Sequence, residues 1–175
     1  KRVNISGNVI DMKKKIFILL LGINFFTFAD EWLFFPGKVE YKFGKIKIVQ
    51  VIDAKGPTSH PDFILEFYVG GEMQAKYRNV GVEAIFSSPN MDYFLGLSNS
   101  GYPWTAFIVL DKKGNLLREA KHGHLDFVEY CSYSLFIDRE WVNTKNPNVK
   151  FIKGDSGLII QVDGCSGNTY NLMNQ

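Results

Sequence analysis

His122-Gly123-His124 sets two imidazoles two positions apart, a spacing that turns both rings to one side of an extended strand, where metal ligands can converge. Asp126 or Glu129 could add a carboxylate. Gly123 and its polar neighbours are equally well explained by an exposed loop between strands, so His122 and His124 are candidate ligands while no metal is expected. Gly96-Leu97-Ser98-Asn99-Ser100 follows an apolar run as a hydrolase nucleophile elbow would. The elbow needs glycine at its fifth position and a helix directly after it, and Ser100 followed by Gly101-Tyr102-Pro103 supplies neither. Glu66, Glu72, Glu83 and Asp138 could supply the two carboxylates of a general acid and base pair, an arrangement that any secreted β protein also contains by chance. His60, between Ser59 and Pro61, reads as a turn residue.

The loop Ser98-Asn99-Ser100-Gly101-Tyr102-Pro103-Trp104 has the composition of a recognition surface. Small polar residues supply adaptable hydrogen bonds, and Tyr and Trp bring large contact area at little entropic cost. Ser98, Asn99, Tyr102 and Trp104 are therefore the candidate binding residues, against the alternative that Trp104 opens the next strand and packs inward. Cys131 and Cys165 lie 34 positions apart and neither belongs to a Cys-x-x-Cys unit. Structural pairing is expected of them rather than redox or zinc chemistry. There is no glycine-rich phosphate loop and no dinucleotide fingerprint, so no cofactor is expected.

These residues sit on a chain that reads as all-β and mainly antiparallel. Val39 to Phe43 and Ile46 to Val51 alternate apolar and polar with period two around Gly44-Lys45, the pattern of a hairpin with one wet face. Asp62 to Val69 and Glu72 to Tyr77 flank Gly70-Gly71; Ala106 to Leu110 and Asn115 to Arg118 flank an Asp111-Lys112-Lys113-Gly114 turn; Val149 to Ile152 and Leu158 to Val162 flank Gly154 to Gly157. Three turn glycines, Gly71, Gly114 and Gly157, are 43 residues apart, and the strand Tyr93 to Leu97 recurs in step as Ser134 to Ile137. That period is blade-like. The expected fold is a β-meander of hairpins forming a curved sheet, a sandwich or a propeller fragment. Helix is expected for at most a turn or two, in Arg139 to Thr144 and around Asp126 to Tyr130.

Met12 to Lys15 followed by the apolar Ile16 to Leu21, with Thr27-Phe28-Ala29 as small residues at a cleavage point, reads as a secretory signal peptide over Met12–Ala29. Lys1 to Asp11 read as an upstream extension, and residues 30–175 as a single β-rich domain. The 14 residues from Ile16 to Ala29 are fewer than the ~20 needed to span a bilayer, so no stable anchor is expected after cleavage. Cleavage would turn 20 basic and 18 acidic residues into 15 and 17, a net charge of −2. Nucleic-acid binding rests on clustered Lys and Arg, so that partner class is excluded.

The strings Phe35-Pro36-Gly37, Tyr93-Phe94-Leu95-Gly96-Leu97-Ser98-Asn99, Asp111 to Glu119 and Asp163-Gly164-Cys165-Ser166-Gly167 resemble those of a family of small exported proteobacterial proteins without assigned function. The resemblance implies export and a single domain, and no activity. The expected function is a non-enzymatic binding module of the periplasm or cell surface, its partner another envelope or extracellular protein or a small ligand. The alternatives are a small secreted hydrolase using carboxylates and an envelope assembly component that adds strands to an exposed sheet edge.

Overall fold

The alternating segments fold as strands because each can turn its apolar side chains to one face and its charged ones to water. The computed structural model describes residues 36–53, 61–100, 103, 105–133, 139–144, 146–154 and 157–173. The first sheet is a meander of β1 (Gly37–Phe43), β2 (Ile46–Asp53), β3 (Asp62–Val69) and β4 (Glu72–Arg78), antiparallel and in sequence order. Ile48, Leu65 and Phe67 are fully buried on its inner face. Glu66 and Lys76, directly opposite each other across β3 and β4, make an ion pair at 3.0 Å on the other face.

The second sheet repeats the plan with β5 (Ala84–Ser87), β6 (Tyr93–Leu97), β7 (Thr105–Asp111) and β8 (Leu116–Lys121). It is the central layer. Ile85, Phe94, Ile108 and Leu110 pack against the first sheet. Leu95, Leu97, Phe107 and Val109 point the other way, into a second apolar cluster with Trp141, Ile160, Val162 and Tyr170. Burial on both faces explains why Thr105 to Leu110 are all buried and why β7 reads as an unbroken apolar run rather than an alternating one.

Beyond the central sheet lie the two-stranded pair β9 (Ser132–Tyr133) and β10 (Arg139–Glu140), and a third sheet of β11 (Val149–Gly154), β12 (Gly157–Asp163) and β13 (Thr169–Asn171), ordered β11-β12-β13. The disulfide between Cys131 and Cys165, with Cα atoms 6.1 Å apart, ties the start of β9 to the loop after β12. All of these strands belong to one compact unit, Phe34–Gln175.

The all-β reading is thus met, and each predicted hairpin forms. Gly71, Gly114 and Gly157 all take positive φ, at 93°, 83° and 123°, which only glycine adopts freely. At Gly114 space matters too, since a Cβ there would lie 2.8 Å from Phe67 of the first sheet. Two of the repeating units are four-stranded meanders, the form of a propeller blade. The third is split between two small sheets. The expected strand Ser134 to Ile137 lies outside the described residues.

The expected helical turns are a correction. Arg139–Glu140 is a strand and the segment around Asp126 to Tyr130 is a turn followed by irregular chain; no helix occurs among the described residues. Tertiary pairing decides this, because the backbone at Arg139 and Trp141 bonds to Asn99 instead of closing a helical turn. No helix among the described residues is long and apolar enough to cross a membrane.

Candidate functional site

Ser98 and Asn99 follow β6, and their polar groups are engaged inside the protein. The Ser98 N–H donates to the Ala106 carbonyl at 2.9 Å, and its carbonyl accepts from Trp141 Nε1 at 3.0 Å. Ser98 Oγ accepts from the Ser100 N–H at 3.0 Å and donates to Glu83 at 3.4 Å. Asn99 Oδ1 accepts from the Trp141 and Val142 N–H groups at 3.2 and 3.4 Å, and Asn99 Nδ2 donates to the Val142 carbonyl at 2.6 Å. Both residues therefore dock the segment after β10 onto the end of the central sheet. Ser98 is buried and its hydroxyl is engaged by Ser100 and Glu83, unlike the exposed serine of a nucleophile elbow. Tyr102 and Trp104 lie outside the described residues, as do His60, Asp138 and the signal-peptide segment.

The histidine pair does not share a face. β8 ends at Lys121, and Gly123 takes φ +79° in a turn closed by the His124 N–H on the Lys121 carbonyl at 3.0 Å. His122 goes inside, 1% exposed, with Nδ1 3.4 Å from the Tyr130 hydroxyl. Burial, and next the charge of Arg139, push its pKa down to about 4, while the Ser98 backbone acts the other way. His124 stays exposed. Among the described residues no three His, Cys, Asp or Glu side chains gather to hold a metal ion.

Three carboxylates, Glu66, Asp111 and Asp163, have lowered pKa values. Glu66 accepts from the Tyr68 hydroxyl at 2.7 Å and from Lys76 at 3.0 Å, which lower its pKa in that order. Burial alone would raise Asp111, but bonds from Asn115 and Lys113 leave it lowered. Thr169 and Asn148 lower Asp163. A general acid needs a carboxyl whose pKa is raised. Glu83 instead gathers Ser98, Asn99 and Thr144 about its carboxylate, and Glu72 lies exposed beside the β3–β4 turn.

An open groove of about 720 Å³ runs beside β8. Its lining includes the four consecutive strand residues Arg118, Glu119, Ala120 and Lys121, with His124, Asp126 and Phe127 from the loop that follows. Successive strand side chains point to opposite faces, so a groove touching four in a row lies along the strand's edge rather than over one face. β8 is the last strand of its sheet, with β7 as its neighbour and no second strand pairing with it among the described residues.

The register across β7 gives the groove two sides. Arg118 and Ala120 stand opposite Val109 and Phe107, on the face toward the third sheet; Glu119 and Lys121 stand opposite Ile108 and Thr105, on the face toward the first. Ala120 and Phe127 pack against the Trp141 cluster, with the Phe127 ring edge-on to Tyr170 at 6.2 Å. Arg118 is anchored by donating to the Met173 carbonyl at 2.8 Å. One side is thus apolar beneath an arginine, and the other carries a carboxylate and an ammonium two residues apart. A lining of two apolar residues, Ala120 and Phe127, among five charged or polar ones suits a partner that carries charge of its own.

None of the seven groove residues except His124 was singled out by the sequence for binding, and Asp126 only as a companion to the histidines. The available signal was Leu116 to Lys121 as a strand ending in mixed charge before a glycine turn. Compared with known family models, curated proteins and solved structures, the chain matches none.

Proposed function

We propose that the protein is an exported, non-enzymatic binding module of the periplasm or cell surface, whose partner docks along β8. The observation that carries this is the groove on the open edge of the central sheet, lined by Arg118 to Lys121. The export half rests on the leader pattern of Met12 to Ala29, and a disulfide such as Cys131–Cys165 fits an oxidising compartment.

The test is site-specific photo-crosslinking of the full chain in envelope extracts of the source organism. A photoreactive residue at Lys121 should give a discrete adduct, and one at Lys42, on β1 of the first sheet, should not. Adducts from both positions alike, or from neither, would overturn the groove as the binding site.

A further inference from the structure

The occupant of the β8 groove can be specified further, which rests on the binding reading above. We infer that it is an extended segment of another protein that adds to β8 as a fifth strand of the central sheet, with apolar side chains toward Ala120 and Phe127 alternating with charged ones: a basic residue facing Glu119 and, two positions away, an acidic residue facing Lys121.

The edge supplies the backbone groups. No backbone hydrogen bond to the outer side of Arg118 to Ala120 is made by any other described segment. Strand addition satisfies such a row of N–H and C=O groups, and side-chain pockets on alternate positions select the sequence. The ladder to β7 is irregular in two places: between Val109 and Leu110, where Leu117 is the extra residue on β8, and between Thr105 and Phe107, where Ala106 is the extra residue on β7, opposite Ala120 and Lys121. The first bulge bends the edge at Leu117 and confines addition to Arg118 to Lys121; the second places its extra residue on β7, so those four residues of β8 run on without an insertion.

Charge chooses the partner. Directly opposed residues in a sheet share a face, so a strand on this edge meets Glu119 and Lys121 on one face and Ala120, beside Phe127, on the other. Opposite charges in those two positions stabilise the pairing, and a like charge in either destabilises it. A second copy of the chain fits poorly. Two-fold pairing sets one residue opposite itself at the centre, and centring on Arg118 or Glu119 opposes like charges. Centring on Ala120 does pair Glu119 with Lys121, but β8 ends at Lys121, so that ladder is three residues long.

Three fluorescent peptides test this with the full-length protein by anisotropy: Thr-Val-Glu-Val-Lys-Val-Thr, its all-acidic counterpart Thr-Val-Glu-Val-Glu-Val-Thr and its all-basic counterpart Thr-Val-Lys-Val-Lys-Val-Thr. The wild type should prefer the mixed peptide by roughly fivefold, the effect of one opposed charge pair turned to like charges. Glu119→Lys should reverse that preference. Lys121→Glu should instead favour the all-basic peptide. Equal affinity of the wild type for the mixed and acidic peptides, binding of neither, or preferences unmoved in both variants would overturn the inference. So would a wild-type dimer in sedimentation that Glu119→Lys dissociates, which would make a second copy the occupant. A crosslinked partner at Lys121 alongside peptide failure would leave the binding module standing and remove only the strand-addition account.

Discussion

His122 shows how one buried ring can carry a pH dependence. Its imidazole ionises near 6.5 in an unfolded chain and at about 4 in the fold, because it is buried and faces the charge of Arg139. Between those values the unfolded chain takes up a proton that the native state refuses, so stability falls as pH drops from about 6.5 to 4 and is flat in this respect above. The loss amounts to about 3 kcal/mol. His122→Phe keeps an aromatic ring beside Tyr130 and removes the ionisation. Urea unfolding at pH 7.5 and pH 4.5 should show the wild type losing most of that amount relative to the variant, and equal losses would contradict the assignment. The same residue marks a limit of sequence reading. Spacing two apart places His122 and His124 together only if the strand continues, and Gly123 is where the chain turns. A glycine inside a strand pattern signals such a bend, but which ring goes inside depends on the space around Tyr130 and Arg139.

At the scale of elements, the hairpins were legible because both their causes are local: period-two alternation and turn glycines. β7 was legible as a strand, though its unbroken apolar run gave no hint of which sheet lay on each side. The open edge at β8 was not legible, since being an edge strand is a property of how sheets are ordered. Gln50 was missed for the same reason. It sits on β2, 2% exposed, where Oε1 accepts from the Val82 N–H at 2.9 Å and Nε2 donates to the Ile64 and Val80 carbonyls at 3.2 Å. That side chain fastens the link between the first and central sheets. Gln50→Leu adds apolar surface but strands buried backbone groups, so it should destabilise by about 2–3 kcal/mol. An unchanged melting temperature would show that the link does not depend on it.

Over the whole molecule, three sheets stack through two apolar clusters, one on each face of the central layer. The cysteine pairing was read from count and compartment and is seen in the fold; the layering was not, because the face each strand presents is fixed by contacts between distant segments. Cys131→Ser opens the bridge across 34 positions, and on the chain-entropy model this should lower stability by about 3–4 kcal/mol. Comparable unfolding midpoints for the variant and the wild type would contradict a stabilising bridge. Export makes a separate prediction: N-terminal sequencing of the secreted or periplasmic protein should begin within a few residues of Asp30, and an intact Met12 on a cytoplasmic product would contradict it.

A partner held along the β8 edge, which no other strand pairs among the described residues, would be registered by amide hydrogen exchange. Edge amides that face water exchange quickly, and a strand added to them slows exchange. With the partner recovered by crosslinking at Lys121 added to the full chain, amides in Arg118 to Lys121 should gain protection while those of β1 on the first sheet stay unchanged. Protection confined to the first sheet, or none at β8 while the complex forms, would contradict the account.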